Sequence, residues 1–126
     1  MHEITKTILI SGALLALVAV LLGAFGAHAL KKTLTTDMLA IYQTAVHYHF
    51  IHALGLLLIG ILHQQYPQSG WLLASATVML AGILLFSGSL YALSLTGISK
   101  LGMITPVGGL LFIAAWALLA FGVYKT

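Results

Sequence analysis

The sequence has too few charged side chains to build a water-soluble surface. Only 6% of its 126 residues are Asp, Glu, Lys or Arg, whereas 61% are hydrophobic. A soluble domain usually carries about a quarter charged residues. No formally charged side chain occurs between Met38 and Ser99. The composition therefore excludes a soluble fold and predicts that most of the chain lies in a membrane.

Cysteine and arginine are also absent, and carboxylates are limited to Glu3 and Asp37. Without cysteine there is no disulfide, thiolate metal ligand or thiol nucleophile. Five lysines do not form the dense basic patch that nucleic-acid binding requires, so no nucleic-acid partner is expected. There is no phosphate-binding glycine loop, serine nucleophile elbow or zinc-binding His-Glu-x-x-His helix. An enzyme is therefore the least favoured class of function, and the sequence identifies no cofactor.

Four apolar runs are long enough to cross a bilayer. A spanning helix needs about 20 residues, because each residue adds about 1.5 Å against a hydrocarbon core of roughly 30 Å. The runs lie at about 8–27, 40–63, 71–95 and 106–124. The sequence thus predicts a single all-α domain over residues 1–126, an integral membrane four-helix bundle.

The lysines at the ends of these runs predict an orientation. Lys6 and Lys125 lie on one side of the membrane, and Lys31, Lys32 and Lys100 lie on the other. Lysines and arginines of short loops favour the cytoplasmic side, and lipid headgroups are their natural partners. We therefore expect a multi-pass protein of the inner (plasma) membrane with both termini outside.

The second run contains an unusual cluster of polar side chains, with three histidines in six residues. Because a helix advances about 100° per residue, His49 lies almost directly below Tyr42 and His52 lies about 60° away. His47 points about 160° away from His49. Ionisable residues inside a membrane are expensive, so they raise a functional hypothesis by default.

Polar residues of the other helices fall toward the same membrane side as this cluster. Helices one and three end there, and helices two and four begin there. We therefore predict a polar pocket that binds a small ligand, a lipid or an ion in a binding or transport-like module. The predicted pocket residues are His28, Tyr42, His49, His52, Ser87, Ser89 and Tyr91.

Two other functions remain open from the residues. The first is a redox protein in which His28, together with His49 or His52, binds a metal or a haem, because imidazole is a ligand for both. The second is a structural or accessory subunit, in which the polar groups only hydrogen-bond between helices.

Small residues recur along the helices, where they allow backbones to approach closely. We assign helix packing to Gly23, Gly26, Gly88, Gly108 and Gly109. One four-helix bundle has little room for both a core and a pathway, so a homo-oligomer is expected. Residues 21–30 also align without gaps with residues 84–93. A two-helix unit used twice would explain this alignment, and so would chance in a chain so rich in leucine and alanine.

Four blocks of the sequence resemble the signature of a known family, the YgdD/YwdK-type small inner-membrane proteins. That family is a domain of unknown function, and the resemblance covers nearly the whole chain. It implies a four-helix inner-membrane protein but supplies no substrate or reaction. The blocks are 23–30 (GAFGAHAL), 42–49 (YQTAVHYH) with His52, 86–91 (FSGSLY) with 95–97, and 105–109 (TPVGG).

Overall fold

The computed structural model describes every residue from 1 to 126, and these residues form helices and no strand. A π-helical turn, Ile83–Ser87, joins α3 to α4 without a break, so the two form one span. Short 3-10 turns, Leu30–Lys32 and Ser99–Met103, lie in two of the connections. The α-helices are α1 Glu3–His28, α2 Thr36–Gln65, α3 Gly70–Gly82, α4 Gly88–Thr96 and α5 Thr105–Tyr124.

Four helical spans are long and apolar enough to cross a membrane, which confirms the predicted fold class. The first two helices extend beyond the apolar runs at 8–27 and 40–63, because polar residues also suit helix ends. The Thr35 hydroxyl caps α2 by accepting a hydrogen bond from the Met38 amide at 3.2 Å. A cap of this kind satisfies one of the free amides of the first helical turn.

The helices do not contribute equally to the core. Side chains of α2, α3 and α5 supply most of the buried apolar cluster, to which α1 adds only Ile8. α1 packs extensively against α2 and makes no comparably extensive contact with another spanning helix. Only 17% of the apolar stretch of α1 is buried, against 44% for α2. α1 is therefore a peripheral helix held to the bundle through α2.

The two halves of the chain bury equivalent positions. α1 packs on α2 in the first half, and α3 packs on α5 in the second. Every buried position of α5 has a buried counterpart on α2 at the same displacement that relates residues 21–30 to 84–93. This agreement favours a two-helix unit used twice. The pairs are Ala45 and Gly108, His49 and Phe112, His52 and Ala115, Leu56 and Leu119, and Ile59 and Gly122.

Two of the five glycines assigned to packing make close approaches. A Cβ on Gly26 would overlap the Tyr42 ring, and one on Gly108 would overlap the Phe86 backbone. A Cβ on Gly23 would lie 3.3 Å from a Val46 methyl. Gly88 makes no close approach within this chain, because a Cβ there would meet nothing within 4 Å, and Gly109 has only ordinary contacts at 3.8 Å.

Candidate functional site

One face of α2 carries a buried row of four side chains that runs along most of the span. Tyr42, His49, Leu56 and His63 follow one another at intervals of seven residues, and none is more than 3% exposed. Seven residues are nearly two helical turns, so these side chains share one face. We call them the α2 row. Three of its four members are polar, and the row faces α1.

Tyr42 ties α1 to α2 at the end of the row near the loop that connects these helices. Its hydroxyl donates a hydrogen bond to the Leu22 carbonyl of α1 at 2.5 Å. Its ring meets the Tyr91 ring of α4 edge-on, with centroids 5.4 Å apart. Gly26 leaves the space that the Tyr42 ring occupies. Tyr42 therefore joins three helices at one point.

His49 lies in the middle of the row, and only one of its ring nitrogens has a partner. Nδ1 is 2.8 Å from the Tyr91 hydroxyl. Nε2 is buried and makes no hydrogen bond. The Leu15 backbone of α1 approaches the ring without reaching hydrogen-bond geometry. An unpaired buried polar group costs about 1–3 kcal/mol, so this atom calls for a functional explanation.

His52, three residues further along α2, has both nitrogens engaged. Nδ1 donates to the Tyr48 carbonyl at 2.7 Å, and Nε2 accepts from the Trp116 indole N–H at 3.0 Å. Because indole nitrogen only donates, Nε2 must be the unprotonated nitrogen of a neutral ring. The ring also stacks on Phe112, with centroids 3.5 Å apart. His52 thus links α2 to α5 and has no nitrogen free for a ligand.

The predicted serines connect the third span to its neighbours. Ser87, in the π-helical turn, donates to the Ala45 carbonyl of α2 at 2.8 Å. Ser89 is 2.6 Å from the Thr105 hydroxyl at the start of α5. π-helical turns are often found at functional sites, and here the turn lies beside the polar cluster. Both hydroxyls are already paired inside the protein.

His28 does not join the other predicted pocket residues. It is exposed at the end of α1, so the short loop to α2 does not bring it to the buried histidines. No group of three or more His, Cys, Asp or Glu side chains is placed to hold a metal ion. The structure therefore brings together Tyr42, His49 and Tyr91, with His52 and the serines bonded nearby.

Two polar contacts were missed by the sequence reasoning. The Thr5 hydroxyl and His63 Nδ1 lie 2.8 Å apart and are buried, at the opposite end of the α2 row. The signal was available, because an antiparallel helix pair brings the start of α1 to the end of α2. Trp116 was also missed, although a tryptophan midway along a span needs a buried acceptor for its N–H.

His49 lies between two open grooves that flank α1. A groove of about 160 Å³ next to Tyr42 is lined by side chains of α1 and α2. A second groove, of about 280 Å³, includes Leu56 and opens between α1 and α3. Along α2, His49 is seven residues from each of these two row members, or about 10 Å. His49 itself lines none of the four main pockets.

Comparison with known proteins finds relatives that match nearly the whole chain. A family model described as "Protein of unknown function (DUF423)" matches residues 22–109. The UPF0382 membrane protein YwdK of Bacillus subtilis is 46% identical over 120 residues, covering 95% of this chain and 98% of the relative. The UPF0382 inner membrane protein YgdD of Escherichia coli K12 is 37% identical over 121 residues, covering 96% and 92%. No solved structure matches the chain.

These similarities confirm the resemblance that the four sequence blocks indicated. Together with the four apolar helices, they identify a multi-pass inner-membrane protein in a lipid environment.

Proposed function

We propose that this chain, which belongs to the DUF423 family of membrane proteins, binds a small molecule with a hydrogen-bonding group at a buried site centred on His49. The observation that carries the proposal is the unpaired Nε2 of a ring that is only 3% exposed. Inside a membrane no bulk water can satisfy such an atom. A bound polar group removes the cost of leaving it unpaired.

The pairing of His49 with Tyr91 determines which ligands fit. If the Tyr91 hydroxyl donates to Nδ1, the ring proton is on Nε2 and the ligand must offer an acceptor such as a carbonyl oxygen. If Nδ1 donates to Tyr91, Nε2 accepts and the ligand must offer a donor such as a hydroxyl. The two arrangements differ only in proton positions, so the site suits a ligand that carries a hydroxyl or a carbonyl.

The position of α1 supports the same proposal. α1 forms one wall of the site, since the Leu15 backbone lies beside the ring. This helix packs mainly on α2 and adds only Ile8 to the buried apolar core. Because the contact of α1 with α2 is extensive, the whole helix does not separate at low cost, but local opening of a part of it needs less free energy than global unfolding. A local separation of α1 from α2 near Leu15 would give a ligand access to His49 while the other three spans stay packed.

The test is native mass spectrometry of the protein released from its own membrane in mild detergent. His49→Asn keeps a polar atom near the Nδ1 position, for Tyr91, but leaves the Nε2 position empty. His49→Gln places its amide near the Nε2 position. We expect a reproducible added mass on the wild type, its loss from His49→Asn and its partial return in His49→Gln.

His47→Asn is the matched control, because His47 is exposed on the same helix two residues away. It should retain the added mass at the wild-type level. A wild-type protein without added mass, or a His49→Asn variant that keeps it, contradicts the proposal. Nitrogen-15 NMR of labelled histidine gives a second readout. The Nε2 resonance of His49 is the one that disappears in His49→Asn. A ligand bonded to Nε2 should shift this resonance and leave those of the other histidines unchanged.

A further inference from the structure

The groove between α1 and α3 has a polar side that the proposed binding site does not use. Its volume is about 280 Å³, and it lies toward the membrane side that carries both termini. Six of its ten lining residues are apolar. The other four are Glu3, Thr7 and Ser11 of α1 and Thr77 of α3.

The polar residues of α1 form a stripe that points toward His49. Glu3, Thr7 and Ser11 are four residues apart, so they lie on one face of the helix, one above the other. The next position in this series is Leu15, whose backbone approaches the His49 ring. The stripe therefore begins at exposed Glu3 at the membrane surface and ends at Ser11, one helical turn before Leu15.

The Ser11 hydroxyl distinguishes this groove from an ordinary lipid-facing surface. Thr7 and Thr77 satisfy their hydroxyls by donating to carbonyls of their own helices, at 2.9 and 3.0 Å. Ser11 forms no such bond, although it is partly buried and lies eight residues into the helix, about 12 Å from Glu3. A hydroxyl left unpaired against hydrocarbon is unfavourable, and a polar occupant of the groove would give it a partner.

We propose that this groove is a water-filled vestibule through which the ligand of His49 enters from the membrane side that carries both termini. This inference rests on the proposed function, because the vestibule is proposed to lead to the His49 site. A volume of about 280 Å³ holds several water molecules at roughly 30 Å³ each. Water there pairs with the Ser11 hydroxyl and solvates Glu3, and the stripe leads it toward the Leu15 turn.

The absence of cysteine makes the vestibule directly testable, because any introduced thiol is the only one. Single variants Ser11→Cys and Thr77→Cys line the groove, and Ala13→Cys is the control. Ala13 lies on the exposed, opposite face of α1 at a similar depth. The full chain is placed in lipid nanodiscs and treated with a charged, membrane-impermeant methanethiosulfonate, which reacts with a thiolate that only water can stabilise.

We expect Ser11→Cys and Thr77→Cys to react at least tenfold faster than Ala13→Cys. Leu15→Cys, at the next position of the stripe, should react at an intermediate rate if the path continues to His49. Rates at Ser11→Cys and Thr77→Cys as slow as the control overturn the vestibule and indicate that a lipid chain or a helix of a second copy fills the groove. A Leu15→Cys rate equal to the control overturns the connection to His49.

The labelling rates do not depend on whether His49 holds a ligand. Fast labelling combined with no mass lost from His49→Asn therefore contradicts the binding site and leaves a hydrated groove without its proposed end point. Slow labelling combined with loss of the added mass contradicts the vestibule alone, and places ligand entry elsewhere.

Discussion

At the scale of single residues, two histidines on one helix differ because different side chains face them. His49 and His52 are both nearly fully buried, and they are three residues apart. Trp116 supplies a donor to His52, whereas Tyr91 pairs only one nitrogen of His49. The His52 ring links two helices and has both nitrogens hydrogen-bonded, whereas the His49 ring keeps an unpaired nitrogen. Function is therefore expected at His49, and stability at His52.

Trp116→Phe tests the structural role of His52. The substitution keeps an aromatic ring but removes the N–H that Nε2 accepts, leaving a buried nitrogen unpaired. We expect the free energy of unfolding to fall by about 0.6–2 kcal/mol, given the measured range for hydrogen bonds between membrane helices and for unpaired groups. The measurement is reversible unfolding in mixed detergent micelles, followed by circular dichroism.

Trp71→Phe is the control for this prediction. Trp71 contacts the Phe121 ring edge-on, with centroids 4.7 Å apart, and makes no hydrogen bond through its side chain. Equal losses in the two variants would show that the indole ring, and not its bond to His52, stabilises α5.

The Thr5–His63 contact predicts a similar effect at the other end of the α2 row. Thr5→Val has nearly the same shape but removes the hydroxyl that is 2.8 Å from His63 Nδ1. Because both residues are buried, we expect a loss of about 1–2 kcal/mol in the free energy of unfolding. Thr44→Val is the matched control, since exposed Thr44 bonds only to the Ala40 carbonyl of its own helix. A loss as large in the control would refute the importance of the interhelical bond.

At the scale of helices, the approach of α5 to the π-helical turn determines the geometry of the third and fourth spans. Gly108 of α5 lies directly against the backbone of Phe86 in that turn. A backbone neighbour cannot rotate away as a flexible side chain does. The two helices reach this separation only because Gly108 has no Cβ, which is the usual role of small residues between membrane helices.

Gly108→Ala should therefore separate α5 from the third span. We expect a loss of about 1–3 kcal/mol in the free energy of unfolding, as for other overpacked contacts. Gly109→Ala is the control at the next position, because its Cβ would come no closer than 3.8 Å to Phe86. That variant should be unchanged or slightly more stable, since alanine favours helices more than glycine does. A Gly108→Ala protein as stable as Gly109→Ala would contradict the packing argument.

At the scale of the whole molecule, an even number of spans places both termini on the same side of the membrane. Which side remains a prediction from the lysines. Three of them, Lys31, Lys32 and Lys100, lie on the side opposite to the termini, and two lie on the side of the termini. The positive-inside rule then favours termini outside, by a margin of one lysine.

Fusions to Thr126 measure this orientation. With the C-terminus outside, alkaline phosphatase fused there is active and green fluorescent protein is dark. Replacing Lys31 and Lys32 by Gln reverses the lysine imbalance, so we expect a mixed or inverted population in which both reporters give signal. A fluorescent fusion to the unmodified chain would show that the termini face the cytoplasm and that the lysine count misleads.

The homo-oligomer expected from the sequence also belongs to this scale and remains a prediction. The peripheral position of α1 leaves much of this helix, including Leu14, Leu17 and Leu21, facing outward. Lipid chains or a second copy of the chain could cover such a surface. The native mass spectrum that tests the His49 site also gives the number of chains in the particle, and so distinguishes a monomer from an oligomer.

The sequence by itself determined the four spans, the family and the alignment of Tyr42 with His49. Each of these follows from local information: run length against bilayer thickness, motif order, and the helical period along one element. A close approach was expected in the same way at the glycines, and it occurs at Gly26 but not at Gly88, because it also depends on which side chain lies opposite.

Only the tertiary structure decided which polar atoms are satisfied. The partners are far apart in the chain: Thr5 and His63 are 58 positions apart, and His52 and Trp116 are 64 positions apart. His28 lies outside the cluster, while Thr5 and Trp116 complete contacts whose partners depend on which helices pack together. The physical reason is that helical period fixes the face on which a residue lies, whereas the partner it meets depends on how separate helices pack. The free nitrogen of His49 is a result of that packing.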